Sequence, residues 1–299
     1  MSGVDHGLFI LVEERFFEGP AGRLCYAETG VPDGPPVILV VGLGMQMVEW
    51  PRALVEGLAK DHRVVLLDNR DSGRSFRSYS EPPAVPQPWT WRGTPAGEPA
   101  YLLTDLAGDV EALAAFLGLE HFGLIGFSMG GKISQTLAAK RGDDIDFLVS
   151  LSSSDASSDV TTSAPAGERM EVLFEPNLSA DELRQRLVES FCYFGFMEQL
   201  DAASEAALEL VLERGFDCSG SLQQALAIRH STKPDHSAIT APTLIVHGLA
   251  DDCLDVSQAE AAAAAIDGAR IETFEGLGHA IDDRVVQSVL AFVAGSGRK

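Results

Sequence analysis

The sequence predicts an α/β fold: a mostly parallel central sheet flanked by helices, with a helical cap inserted late in the chain. Three observations carry this expectation. Short apolar runs, among them Val37–Val41, Val64–Leu67, Phe122–Ile125 and Thr243–Val246, have the continuous hydrophobicity of strands buried on both faces. Segments of helical spacing separate them, and that alternation argues for a parallel sheet covered by helices. The run at Phe122–Ile125 passes directly into Gly126-Phe127-Ser128-Met129-Gly130-Gly131, and helical spacing follows over Lys132–Lys140. A serine between glycines at such a junction implies a sharp, strained turn that pushes its hydroxyl out at the end of the sheet.

The elements follow in order. Leu8–Phe17 and Gly22–Ala27 read as strands joined by the hairpin-like Glu18-Gly19-Pro20-Ala21-Gly22. After Val37–Val41 the glycines of Gly42-Leu43-Gly44 open a loop, and a helix is expected from about Trp50 to Lys60. Val64–Leu67 closes in the polar turn Asp68–Ser75. Between Tyr79 and Ala100 prolines cluster around Trp89 and Trp91; this loop is expected either to lie over an entrance or to pack its tryptophans down on the surface. Leu106, Val110, Leu113 and Leu117 predict a helix over Thr104–Leu117, and Ile145–Leu151 a strand.

From Ser152 the alternation stops. Ser157–Gly167 reads as a small, polar linker. Ser179-Ala180-Asp181-Glu182 is a capping-box signature that opens a helix carrying Leu183, Leu187 and Phe191 on one face. Leu208, Val211 and Leu212 indicate a second helix, and Leu222, Leu226 and Ile228 a third. The expected organisation is therefore a core of residues 1–152 and 239–299 around a helical cap of residues 153–238. The α/β pattern resumes with Thr243–Val246 and the loop His247–Asp252. An alanine-rich helix (Val256–Ile266), a strand (Arg270–Phe274), Gly276-Leu277-Gly278-His279-Ala280 and a closing helix with Val285, Val289 and Phe292 complete it.

Composition narrows the function classes. The formal net charge is -22, from 44 acidic and 22 basic side chains, and such a surface repels phosphate backbones and anionic lipid heads. Nucleic acid and membrane are poor partners, and no run approaches the length of a membrane span. Gly7–Val12 lacks a basic lead-in, so a cytoplasmic location is expected. Cys25, Cys192, Cys218 and Cys253 form no C-x-x-C pair; they are expected to be reduced and buried, with a Cys192–Cys218 contact as the lesser alternative.

A neutral serine is a feeble nucleophile and needs a base within hydrogen-bond reach, itself oriented by a third group. His279, after the last strand, is the candidate base and Asp251, after the preceding strand, the candidate orienting acid. Loops beyond the carboxyl ends of parallel strands converge, so three residues far apart in sequence can meet. Leu43 and Met129 are the candidate oxyanion-hole N–H donors. Gly42, Met45, Gln46 and Trp50 are candidates for the substrate pocket, with Met47 beside them. Rivals remain open. His247 is an alternative base expected to be structural. Asp252, Asp255 and Asp155 compete with Asp251, while Asp68, Arg70 and Asp71 read best as a hydrogen-bonded turn. His230 and His236 are expected to be solvated. No metal cluster, phosphate loop or organic cofactor is indicated.

With Gly42-Leu43-Gly44, Asp68–Ser75, Gly126–Gly130, Gly248–Asp251 and Gly278-His279 in this order, the chain resembles the α/β-hydrolase superfamily over nearly its whole length. Trp50-Pro51 and Asp68-Asn69-Arg70-Asp71 resemble the branch containing aclacinomycin methylesterase and related serine carboxylesterases. Many relatives carry His where this chain has Val41, which removes a hydrogen bond supporting the oxyanion loop. The resemblance implies a serine hydrolase cleaving a small carboxylic ester through an acyl-enzyme. Other chemistry of the same triad (C–C bond hydrolysis, cofactor-free perhydrolysis or acyl transfer) and a non-catalytic small-molecule receptor are the alternatives.

Overall fold

The computed structural model describes residues 13–81, 98–156, 164–175, 178–194, 198–200 and 202–296. Its sheet is built from β1 (Arg15–Glu18), β2 (Arg23–Gly30), β3 (Pro36–Val40), β4 (Arg63–Leu67), β5 (Phe122–Phe127), β6 (Ile145–Leu151), β7 (Thr243–Gly248) and β8 (Arg270–Phe274). They lie in the order β1-β2-β4-β3-β5-β6-β7-β8. The β1–β2 pair is an antiparallel hairpin with Phe16 opposite Cys25, and β2 runs antiparallel to β4. From β4 across to β8 every pairing is parallel, as strands without polar alternation require.

The helices are α1 (Arg52–Leu58), α2 (Leu103–Phe116), α3 (Met129–Arg141), α4 (Ala164–Glu171), α5 (Ala180–Phe194), α6 (Ala202–Arg214), α7 (Cys218–His230), α8 (Val256–Ala265) and α9 (Asp283–Ser296). Successive residues of β3 show how they clothe the sheet. Ile38 and Val40 pack with Leu106, Val110 and Leu113 of α2 and Ile133 and Leu137 of α3. Val37, Leu39 and Val41 pack with Leu54 and Leu58 of α1 and Val289 and Phe292 of α9. The period-two alternation of a strand thus feeds two separate cores.

Two helix starts depart from the sequence reading. The helix expected from Trp50 begins at Arg52, because the residue before a proline avoids the α region; Trp50 sits at φ -67°, ψ 138° ahead of Pro51. α4 starts inside the stretch expected to be a linker. Ala166 and Met170 bury one face of it, too few apolar positions to register as a period in a small, polar run. Residues 1–12, 82–97 and 157–163, which include much of the first expected strand, the Pro/Trp loop and the rest of that linker, lie outside the described residues.

The capping box forms as written: Ser179 Oγ accepts the Glu182 N–H (3.3 Å), and the Glu182 carboxylate accepts the Ser179 N–H (2.9 Å). α7 is buried continuously from Ser219 to Ile228 and joins the same core as α2 and α3; the Leu103 N–H donates to Ser231 Oγ just beyond its end (2.8 Å). His230 is exposed, but His236 is buried rather than solvated, with Nε2 2.8 Å from Gln135 Oε1 of α3. Among the described residues no helix is long and apolar enough to cross a membrane.

The Asp68–Ser75 turn is pinned to α2 by a buried bidentate pair, Arg70 Nε and Nη2 donating to the two oxygens of Asp109 at 2.7 Å each. Removing one partner strands a buried charge. Asp109→Ala is expected to cost about 3–5 kcal/mol in urea unfolding, whereas an exposed pair such as Arg52–Glu56 would cost under about 1 kcal/mol.

Candidate active site

Ser128 adopts φ 53°, ψ -118°, a backbone conformation that costs energy for any residue with a Cβ. Two packing contacts hold it there. A Cβ on Gly126 would overlap the Gly130 carbonyl oxygen, and one on Gly130 would overlap that of Val40 in β3, so only glycine lets α3 leave β5 this steeply. Hydrogen bonds complete the restraint: the Ser128 N–H donates to Leu151 O (2.8 Å), and Ser153 Oγ donates to Ser128 O (2.7 Å).

β7 and β8 are neighbours, and their following loops bring Asp251 and His279 to the same edge. His279 Nε2 lies 3.1 Å from Ser128 Oγ, and His279 Nδ1 lies 2.8 Å from Asp251 Oδ2. The Asp251 side chain is fully buried, and its other oxygen accepts the N–H groups of Cys253 (3.0 Å) and Leu254 (2.9 Å). Burial alone would raise this carboxyl. The charge and hydrogen bond of His279, His247 and the Leu254 N–H outweigh it and leave the group below its ordinary value. An ionised Asp251 can only accept, so His279 carries its proton on Nδ1 and presents a lone pair from Nε2 to the serine.

The Leu43 and Met129 N–H groups meet no acceptor among the described residues. Met129 opens α3, where the first N–H groups have no partner within the helix. Gly42 lies against the serine; a Cβ there would be 3.3 Å from Ser128 Cβ. The loop lacks the histidine of many relatives, and three other side chains brace it. Asn69 Nδ2 donates to Val41 O (3.2 Å), Ser72 Oγ donates to Met45 O (2.6 Å), and Gln224 Oε1 of α7 accepts the Gly44 N–H (2.8 Å). Gln224 also donates from Nε2 to Arg70 O (2.8 Å). Sequence reading missed Gln224 because a polar residue on a helix gives no sign that it will be buried beside a loop 180 positions earlier.

Of the pocket candidates, Met45 and Trp50 line a cavity with Ser128 and His279, Gly42 does not, and neither does Gln46. The Gln46 side chain is fully buried and turned to α6: Nε2 donates to Val211 O (3.0 Å), and Oε1 accepts Arg214 Nε (2.9 Å). Arg214 in turn pairs with Asp68 and Glu14, and Asp68 Oδ1 accepts the Met47 N–H (2.8 Å). Met47 is core. The rest of the wall includes Leu43, Phe127, Ile281 and Phe216, with Met170 of α4 and Leu187, Ser190, Phe191 and Phe194 of α5.

The rivals have other partners. His247 is buried with Nε2 2.8 Å from Leu254 O, and burial lowers its pKa. Asp255 caps α8 through the Ser257 N–H. Asp252 receives the Tyr193 hydroxyl, and Asp155 pairs with Lys233 (2.7 Å). Asp71 binds the Ser78 N–H and hydroxyl. The four cysteines are free: Cys25 and Cys253 are buried, and Cys192 and Cys218 partly so. Among the described residues no group of three or more acidic, His or Cys side chains could hold a metal.

The chain belongs to the alpha/beta hydrolase fold family, which it matches over residues 35–281. It is 24% identical to rhodomycin D methylesterase of Streptomyces peucetius over 90% of this chain and 93% of that protein. Among solved structures it resembles a hydrolase from Pseudomonas aeruginosa (TM-score 0.72, 22% identity, 96% of this chain and 98% of that one). A meta-cleavage product hydrolase from Pseudomonas fluorescens is similar to the same degree (TM-score 0.72, 21% identity, 96% and 99%).

Two outcomes follow for the frame of the site. Gln224→Leu leaves a buried N–H and a buried carbonyl without partners and is expected to lower stability by about 2–4 kcal/mol in thermal unfolding. His236 and His247 are both held below the ordinary 6.5 by burial, so the unfolded chain binds more protons than the native one. Their contribution is complete above about 6.5 and is lost as pH falls through the lower native values; the urea midpoint is expected to drop as pH falls below about 6.5, less steeply in His236→Gln.

Proposed function

We propose that this chain is a serine hydrolase that cleaves a carboxylic ester of a small molecule through an acyl-enzyme. The observation that carries this reading is the hydrogen-bonded line Ser128 Oγ–His279 Nε2, His279 Nδ1–Asp251 Oδ2 at the edge of an apolar cavity. In this mechanism His279 accepts the Ser128 proton as Oγ attacks the ester carbonyl. Asp251 keeps the ring in the productive tautomer and stabilises the imidazolium. The oxyanion is received by the Leu43 and Met129 N–H groups, each typically worth ~10²–10³ in rate. Collapse expels the alcohol, which takes the proton from His279. Water, deprotonated by the same ring, then releases the acid and restores Ser128. The reaction as written needs no metal or organic cofactor.

The relative named as a methylesterase supports an ester as the bond cleaved. Residues 153–238 are assigned as a cap over residues 1–152 and 239–299; α4 and α5, whose side chains contribute to the cavity wall, would set how large an ester enters.

A phosphonate ester is expected to label Ser128 stoichiometrically, read by mass spectrometry, and a chain without that adduct is not a serine hydrolase. Hydrolysis of p-nitrophenyl esters is expected to fall by about 10⁴-fold or more in Ser128→Ala and by about 10⁴-fold in Asp251→Asn, in kcat rather than KM. Labelling at Ser128 without turnover of any ester would instead favour C–C bond cleavage by the same groups.

A further inference from the structure

The cavity around Ser128 is walled mostly by apolar side chains, and beside Ser128, His279 and Ser190 its polar lining includes one carboxyl. Glu49 follows the oxyanion loop in a short 3₁₀ turn (Met47–Glu49) and lines the cavity beside Trp50. One of its oxygens, Oε2, accepts the Gln46 N–H at 2.6 Å. The other has no partner among the described residues, and Glu49 makes no ion pair there. The nearby cation is committed elsewhere, since Arg214 is consumed by Asp68, Glu14 and Gln46. A carboxyl facing an apolar cavity is costly to keep unless something binds to it.

From this we infer that Glu49 is the recognition point of the cavity, and that the esters this chain turns over carry a basic amine, docked as an ammonium between Glu49 and the aromatic wall. The inference rests on the cavity being the ester site proposed above. Three features favour a cation over a neutral donor. Trp50, Phe127, Phe191, Phe194 and Phe216 line the cavity, and aromatic rings attract an ammonium through their quadrupoles. Apart from His279, no basic side chain among the described residues lines the cavity, so an anionic group would find no cationic side chain there. The chain carries a net charge of -22, and its field draws cations toward it. Burial pushes the Glu49 carboxyl up to about 8; the Gln46 N–H opposes this, Asp68 adds to it and Arg214 lowers it. A docked ammonium would favour the carboxylate again and form the ion pair that this side chain lacks.

The test compares three six-carbon probes, n-hexylammonium, n-hexanol and hexanoate. Each is measured as an inhibitor of p-nitrophenyl butyrate hydrolysis and by the thermal shift it causes. The wild-type chain is expected to bind hexylammonium at least about ten-fold tighter than hexanol, and hexanoate weakest. In Glu49→Gln the ammonium-to-alcohol ratio is expected to fall to near one. Equal binding of alcohol and ammonium by the wild type, no shift with any probe, or a ratio preserved in Glu49→Gln would each overturn the inference. Thermal shift reads binding without turnover, so it reports on Glu49 even if no ester is cleaved. Failure of the hydrolase reading would appear separately, as absence of the phosphonate adduct on Ser128.

Discussion

The close approach of α3 to β3 is the contact on which the rest of this molecule depends. The Gly130 backbone lies so near the Val40 carbonyl that no side chain fits between them, and Gly126 is equally pressed against the start of α3. These contacts force Ser128 into a positive-φ turn that its own conformational preference opposes. The strain is held by the surrounding ladder, because the Ser128 N–H and carbonyl are tied to the end of β6 and to Ser153. The same contact brings the loop after β3 alongside the serine, so the candidate nucleophile and the candidate oxyanion donor at Leu43 are positioned by one packing event.

Around that contact the molecule spends its buried polar groups on rigidity. Asp68, Arg214, Gln46 and Glu14 form one network joining the loop after β3, the loop after β4 and α6. Arg70 and Asp109 join the second of these loops to α2, and Gln224 joins both loops to α7. Partly satisfied networks of this kind would be unstable. Here each carboxylate meets a guanidinium or backbone N–H, which is how a loop lacking the supporting histidine keeps a defined shape. Beyond β6, α7 braces both loops through Gln224, while α4 and α5 contribute Met170, Leu187, Phe191 and Phe194 to the cavity wall.

Much of this was readable from residues alone. The positions of the strands along the chain, the hairpin at the start, the capping box at Ser179 and the strand Arg270–Phe274 all have local causes: continuous apolar runs, glycine and proline punctuation, a serine three residues before a glutamate. The candidates Ser128, Asp251 and His279 were legible for a topological reason, since loops beyond the carboxyl ends of neighbouring parallel strands must converge. Gln46 misled because the neighbouring Met45 does line the cavity, while the direction of the Gln46 side chain depends on where the Val211 carbonyl and Arg214 of α6 arrive. His236 misled similarly: its burial depends on Gln135, which reaches it from α3.

The sequence by itself determined the class of fold, through periodicity, and named Ser128, Asp251 and His279 as candidates at strand ends, through the glycine-flanked turn and the convergence of those loops, with rivals to Asp251 left open. Only the tertiary structure decided which polar side chains brace the loops, which of them reach the cavity, and that Glu49 stands there without a counter-charge. Those facts depend on the direction of single side chains among neighbours from distant segments. No local pattern of residues encodes that direction.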